Sequence, residues 1–489
     1  MKGITSLDVA EIRDGVRNRV FTAREVASAF IAAASEAADL NAFIVETPEL
    51  ALAAADAADA AVANGRAMPL AGVPIGIKDN YCLAGVPATA GSKILRGFIP
   101  TYTATVAQSV LEAGAICIGK TNMDEFGMGS STENSAYGVT RNPAAANSGL
   151  GDVVAGGSSG GAAAAVAGKL VAASLASDTG GSIRQPASFC GVVGYKPTYG
   201  LASRWGLIAY ASSLDQAGVI ARTVLDTAII ADQALGLDLK DSTSLDWANP
   251  GLENAALLTG NPCRVGIPRQ LLAMGGTADL RRCWEAIQNV GAIPGWEAVE
   301  VDLPSIGYAL PAYYVIALCE ASSNLSRYDG TKYGLRVVPD GQCLLSMYEE
   351  TRSEGFSSET KKRILLGTFA LSAGYYEAYY LRAAKVRRKI ADEIRCALEA
   401  VDVIALPTAP TPAFGIGGHQ DDPLEMYLED VFTVPLNLTG FPGISIPGPT
   451  AENGLPMGIQ LFGRALADDA LFSHAATLER ALANRAITS

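Results

Sequence analysis

Apolar residues at Ile12, Val16 and Val20, then Val26 and Phe30, recur every fourth position, which predicts paired amphipathic helices between Ser6 and Ala38. Thr22 followed three residues later by Glu25 marks the start of the second helix with a capping box. Leu50–Ala63 is alanine-rich and carries Asp56 and Asp59, so propensity predicts a surface helix. Compact apolar runs at Val73–Ile77, Ala115–Ile118, Val171–Ser177 and Val401–Pro407 predict buried strands, although the alanines of Val171–Ser177 also allow a helix. Helices are predicted over Thr105–Glu112 and Ala162–Ala167. Strands alternating with helices give an α/β fold around a sheet. From about Pro268 to Ala400 the pattern turns helical and aromatic (Tyr313, Tyr314, Tyr375, Tyr376, Tyr379, Tyr380), with no repeat and no low-complexity linker along the chain.

Composition narrows the picture. A chain of 489 residues exceeds a typical single core, so one elaborated α/β domain and two domains are both compatible with its length. Lys and Arg number 37 against 50 Asp and Glu, a net charge of −13, which gives no long-range attraction to a phosphate backbone. Any nucleic acid would then be bound by a basic partner. Eight scattered cysteines without a Cys-x-x-Cys pair point to buried free thiols, not to a zinc site or a disulfide framework. Met1–Arg19 carries Asp8, Glu11 and Asp14 and lacks the apolar core of a signal peptide, and the small-residue run Gly160–Ser177 is interrupted by Lys169. The expectation is a soluble, cytoplasmic protein with no membrane partner.

The glycines concentrate between Gly72 and Gly218, the expected catalytic core. Three elements there carry chemistry: Lys78 at the end of Gly72–Asn80, Ser158 in Gly-Gly-Ser-Ser-Gly-Gly (Gly156–Gly161), and Ser182 in Asp-Thr-Gly-Gly-Ser-Ile-Arg (Asp178–Arg184). The chain has two histidines, His419 and His474, neither near a serine-glycine cluster, so a lysine replaces histidine as the available base. The apolar Val73, Ile75 and Ile77 carry Lys78 into a covered place, where desolvation lowers its pKa. Reaching about 7–8 requires roughly 4 kcal/mol of differential environment. A neutral Lys78 can take a proton from Ser158, which takes one from the nucleophile Ser182. Glycines in Thr179-Gly-Gly-Ser182 let backbone amides approach a substrate carbonyl and converge on an oxyanion, each donor worth about 3–4 kcal/mol of barrier.

Two motifs point elsewhere and fail on physical grounds. Gly114–Thr121 matches G-x-x-x-x-G-K-T, but its intervening Ala, Ile, Cys and Ile read as a strand, not a phosphate-cradling turn. Cys190 has apolar neighbours and no histidine partner, so it reads as a structural thiol; His419 in its glycine-rich loop reads as a hydrogen-bonded side chain.

These segments, with Gly119–Thr132 and Ser177–Pro197, resemble the amidase signature family, whose catalytic unit is Ser–cis-Ser–Lys. The resemblance implies Ser182 as nucleophile, Ser158 as the bridging serine after a cis peptide, Lys78 as base, and the amides of Thr179, Gly180 and Gly181 as oxyanion donors. It implies an amidase signature fold, α/β with a central, mostly mixed β-sheet covered by helices on both faces. One domain would span 1–489: N-terminal helices to about 65, core about 66–220, a helical substrate-binding elaboration about 268–400, and a return to the sheet about 401–489. Asn122–Asn134, Lys196–Gly200, Ser212–Gln216, Glu320–Gly330, Gly367–Tyr380 and Asp421–Pro423 are similar to family members that hydrolyse glutamine for tRNA amidation. That likeness implies glutamine as substrate, held by Tyr313, Arg363 and Asp430, since a zwitterion needs a cationic fork and an acid. It further implies a heterotrimer with partner subunits B and C, tRNA bound mainly by a partner, no cofactor in this chain, and ATP with Mg on the partner. A stand-alone amidase on another small amide and an inactive scaffold are the alternatives. Ala155, Ala162 and Lys362 depart from the usual proline, serine and arginine without removing a catalytic atom, and Ala144–Asp152 is atypical.

Overall fold

A computed structural model describes residues 3–147, 149, 151–338, 343–419 and 423–484. Asp421 and Asp422 of the Asp421–Pro423 segment, and Ser148 and Leu150 of the atypical Ala144–Asp152 run, lie outside the described residues.

Among these residues, eleven strands form one sheet: β1 (Phe43–Glu46), β2 (Pro74–Lys78), β3 (Ile116–Thr121), β4 (Ala173–Asp178), β5 (Val193–Lys196), β6 (Gln216–Ala221), β7 (Cys263–Pro268), β8 (Trp296–Val301), β9 (Val403–Pro407), β10 (Gly443–Thr450) and β11 (Pro456–Phe462). Their spatial order is β1-β3-β2-β4-β6-β5-β10-β11-β9-β7-β8. The sheet is mixed: β2 runs parallel to β3 and β4, and β7 to β8 and β9, while the remaining pairs are antiparallel. Every residue of β2, β3, β4, β5, β6 and β9 is buried. Alternate side chains face opposite sides of a strand, so these six are covered on both faces. That double burial is why β2, β3, β4 and β9 read as largely apolar runs, whereas β5 and β6, equally buried, are interrupted by Gly194, Lys196, Gln216 and Gly218 and carry no such signal.

The local signals account for the flanking helices. Thr22 and Glu25 form the reciprocal cap of the Ala23–Glu36 helix, Thr22 N–H donating to Glu25 at 2.7 Å and Glu25 N–H to Thr22 Oγ1 at 3.1 Å. The Pro48–Ala63 helix is not wholly on the surface: Ala51, Ala55 and Ala58 form a buried stripe. Its Asp59 accepts the Ala23 N–H at 2.7 Å, a second satisfaction of the neighbouring helix start. One hydrophobic cluster extends from Val9 to Ala481.

Gly114–Thr121 leads into β3, and its Lys120 is buried against Asp79 at 3.1 Å, so the P-loop look-alike is sheet core, as its apolar middle predicts. One stretch differs from the pattern-based reading. The mainly helical region from Pro268 to Ala400 contains β8. Its Glu297 is exposed and pairs with Arg264 on the neighbouring strand, and this edge position leaves only a partial apolar signal.

Candidate active site

Adjacent, parallel β2 and β4 pair Ile77 with Leu175, so β2 ends at Lys78 while β4 runs two residues further, through Ser177 to Asp178. The carboxyl edge of such a sheet is where loops can build a site. Lys78 is fully buried, and its Nζ donates to Ser158 Oγ at 2.8 Å, Ser159 Oγ at 2.7 Å and the Ser177 carbonyl at 3.3 Å. Three acceptors match the three N–H bonds of an ammonium; a neutral amine keeps two and turns its lone pair to one hydroxyl. Burial lowers the amine to about 7, against the opposing pull of Asp124, Asp178 and Asp215. Near neutral pH both protonation states are therefore populated, which suits a proton acceptor.

The Gly157–Ser158 peptide is cis, as the resemblance implies. A Cβ at Gly157 would lie 2.2 Å from Asp124 Oδ2 and 2.6 Å from Ser131 N, so only glycine fits at this approach. Its N–H donates to Gln185 Oε1 at 2.9 Å, and the Ser158 carbonyl accepts from Asp124 N–H at 3.3 Å. Ser159 N–H donates to the Ser182 carbonyl at 3.2 Å, which draws the two serine loops together. Ser182 is 7% exposed, and among the described residues its hydroxyl has no protein hydrogen-bond partner. It is the one hydroxyl of the group that is both reachable and uncommitted.

The turn bearing Ser182 is braced from behind. Asp178 accepts from the amides of Gly181 at 2.8 Å and Ile183 at 3.2 Å, and from Arg184 at 3.0 and 3.1 Å. Asn437 donates to the Asp178 carboxylate at 2.9 Å and to its carbonyl at 3.0 Å. Burial alone would raise the Asp178 carboxyl, but Arg184, Lys196 and Asn437 bring it down to about 2. One expectation changes here. The Gly181 N–H is already engaged by Asp178 and is not a free oxyanion donor. The amides of Thr179, Gly180 and Ser182 have no protein acceptor among the described residues.

Tyr313, Arg363 and Asp430 are all buried, not parts of surface ion pairs. The Tyr313 hydroxyl packs on the turn that bears Ser182: a Cβ at Gly180 would come within 2.4 Å of it. Arg363, on the helix Ser358–Leu371, donates to Glu359 at 2.7 Å and to the Tyr210 hydroxyl at 3.3 Å, and lies over the Tyr427 ring at 5.6 Å. Asp430 accepts from Ser130 Oγ at 2.9 and 3.0 Å and from the Tyr314 hydroxyl at 3.2 Å; burial pushes its carboxyl up to about 7. Ser159, Ser177, Ser130, Tyr210, Tyr314, Glu359 and Tyr427 are the contributors that sequence reasoning did not single out. Ser130 and Tyr314 lay within reach, one inside Asn122–Asn134 and the other beside Tyr313.

The rejected candidates stay apart from this constellation. Cys190 is buried, donates to the Ala155 carbonyl at 3.4 Å, and is pushed far above the ordinary thiol range by burial. His419 pairs with Glu425 at 2.8 Å, and His474 packs edge-on against Trp296. No group of three His, Cys, Asp or Glu side chains among the described residues is arranged to hold a metal ion.

A lysine-linked serine, a serine hydroxyl without a partner on a glycine turn and backbone amides without an acceptor are the parts of an amide-cleaving serine hydrolase. The chain belongs to the amidase family, whose sequence model matches residues 25–472. It is 50% identical to the A subunit of Glutamyl-tRNA(Gln) amidotransferase from Sphingopyxis alaskensis, over 98% of this chain and 97% of the relative. The protein of the same description from Methylorubrum extorquens is also 50% identical, over 98% of each chain. Among solved structures, the A subunit of Glutamyl-tRNA(Gln) amidotransferase from Thermotoga maritima superposes with a TM-score of 0.77 at 38% identity, covering 98% of this chain and 96% of that one. The native peptide amidase of Stenotrophomonas maltophilia gives 0.82 at 28% identity, with 98% and 97% covered.

Proposed function

We propose that this chain is the glutamine-hydrolysing subunit of a tRNA-dependent amidotransferase. The observation that carries the choice of substrate is the burial of a cation, Arg363, and an acid, Asp430, with Asp430 bonded by Tyr314 beside Tyr313, whose own hydroxyl touches the nucleophile turn at Gly180. A fixed cation and a buried acid suit the carboxylate and ammonium of an α-amino acid. Ser130 and Tyr314 orient Asp430 for that ammonium, and Tyr210 and Glu359 orient Arg363.

In the reaction, Ser182 Oγ attacks the side-chain amide carbon of glutamine while its proton passes through Ser158 to Lys78. The carbonyl oxygen, now anionic, accepts from the unengaged amides of the turn, those of Thr179, Gly180 and Ser182, and not from Gly181, which is held by Asp178. The proton returns to the departing nitrogen, ammonia leaves, and a glutamyl ester remains on Ser182. Water, deprotonated by the same relay, releases glutamate and restores the hydroxyl.

The ammonia would serve a partner that converts Glu-tRNA(Gln), Asp-tRNA(Asn) or both to the amidated forms, using ATP and Mg. On this reading the chain works with subunits B and C as a heterotrimer in the cytoplasm, and tRNA is held mainly by the partner. The net charge of −13 supports that division, and the free state of all eight cysteines is in keeping with a reducing compartment. No helix among the described residues is long and apolar enough to cross a membrane. The test is reconstitution with the partner subunits: glutamine-dependent formation of amidated tRNA supports the reading. Efficient hydrolysis of bulky or aryl amides by the chain alone, with no response to partners, contradicts it and favours a stand-alone amidase.

A further inference from the structure

Asp215 is a buried carboxylate with no ion-pair partner among the described residues. Charges without a counter-ion are kept inside a protein only when several donors hold them. Here the donors come from two segments. Thr179 Oγ1 donates to Asp215 Oδ1 at 2.7 Å from the nucleophile turn. Tyr210 N–H at 2.9 Å and Ala211 N–H at 3.1 Å donate from the loop before β6. That loop presents the Tyr210 hydroxyl to Arg363. One carboxylate thus joins the first residue of the nucleophile turn to the loop that orients the arginine.

The opposite side of the turn is fixed independently. Asn437 holds the Asp178 carbonyl at 3.0 Å, and Thr433 Oγ1 holds the Gly180 carbonyl at 2.6 Å. In a trans peptide the N–H points away from the carbonyl, so pinning the Asp178 carbonyl directs the Thr179 N–H away from Asn437. The Thr179 side chain is the remaining freedom at this residue, and Asp215 removes it.

We propose that Asp215 is a positioning residue for amide hydrolysis: through Thr179 it sets the amide that receives the developing oxyanion, and through the Tyr210 backbone it keeps that amide in register with Arg363. This rests on the glutamine-hydrolysing reading above and adds to it a device that links the oxyanion site to substrate orientation.

The test is a double-mutant cycle on the full chain in its assembly, with glutamine hydrolysis as the readout and Ser182→Ala as control. Thr179→Val keeps the side-chain shape and removes the donor; it is expected to lower kcat by about tenfold with KM changed by less than about threefold, because an oxyanion donor acts in the transition state. Thr179→Ser keeps the donor and should stay within about threefold of the parent. Asp215→Asn touches both segments and should lower kcat and raise KM, and the double variant should be no worse than Asp215→Asn alone. A parental kcat in Thr179→Val, a Thr179→Ser loss as deep as that of Thr179→Val, or additive losses in the double variant would each overturn the proposal. If Asp215→Asn does not fold, the Val and Ser variants of Thr179 decide alone. Loss of activity in Ser182→Ala with parental Thr179→Val defeats this inference and leaves the glutaminase reading standing; an active Ser182→Ala defeats both.

Discussion

Lys78 Nζ lies 2.8 Å from Ser158 Oγ although the two residues are 80 apart in the chain, and neither side chain is open to solvent. Burial brings the Lys78 amine to about 7, so that at neutral pH a neutral amine is available at this contact, as the proposed relay requires.

Only the neutral amine accepts a proton, so kcat/KM for amide hydrolysis should rise as pH increases through about 7 and then level off. Lys78→Met should lower kcat by about 10²–10⁴ and abolish that limb. The stability sign follows from the same displacement. Between about 7 and the ordinary 10.5 the unfolded chain binds a proton that the folded chain does not, so the contribution of Lys78 to stability increases with pH across that window. Denaturant titrations at several pH values should show a steeper rise for the parent than for Lys78→Met.

Asp430 titrates in the opposite sense. Its carboxyl is pushed from 3.8 to about 7, so the folded chain binds the extra proton and the contribution of Asp430 to stability falls as pH rises from about 4 to about 7. Asp430→Asn should therefore be more stable than the parent above neutral pH. It should also raise KM for glutamine by about 10–100-fold, since a charged partner of the substrate ammonium is gone. Thermal midpoints at pH 5 and pH 8, with glutamine kinetics, check both.

Arg184 is fully buried and bonds Asp178, Gln460 and Asn437. Arg184→Met leaves the Asp178 carboxylate buried and unpaired, and should destabilise the chain by about 3–5 kcal/mol. Asp178→Leu in that background should recover part of the loss without recovering activity. Equilibrium unfolding of the parent and the two variants provides the measurement.

Lys78, Ser158 and Ser182 were legible because glycine runs between buried strands have few structural uses. The strands themselves were legible because β2, β3, β4 and β9 are buried on both faces. Edge strand β8, half-exposed and carrying Glu297 and Glu300, gave no such run. Contacts fixed by strand register were also hidden: no local pattern says that Lys78 also bonds Ser159 and the Ser177 carbonyl. Nor does one say that the Gly181 amide turns back to Asp178, which depends on a side chain held by Arg184 and Asn437. The resemblance supplied Tyr313, Arg363 and Asp430, whereas their supports Tyr210, Glu359 and Tyr314 emerged only once distant helices were packed.

The claim on which the account turns is that Ser182 carries the glutamyl group. Rapid acid quench of the assembly turning over glutamine, followed by peptide mass mapping, tests it directly. The account predicts a single glutamyl ester on the peptide containing Ser182, absent from Ser182→Ala together with ammonia release. An adduct on Ser158 or Cys190, or undiminished ammonia release by Ser182→Ala, would contradict it.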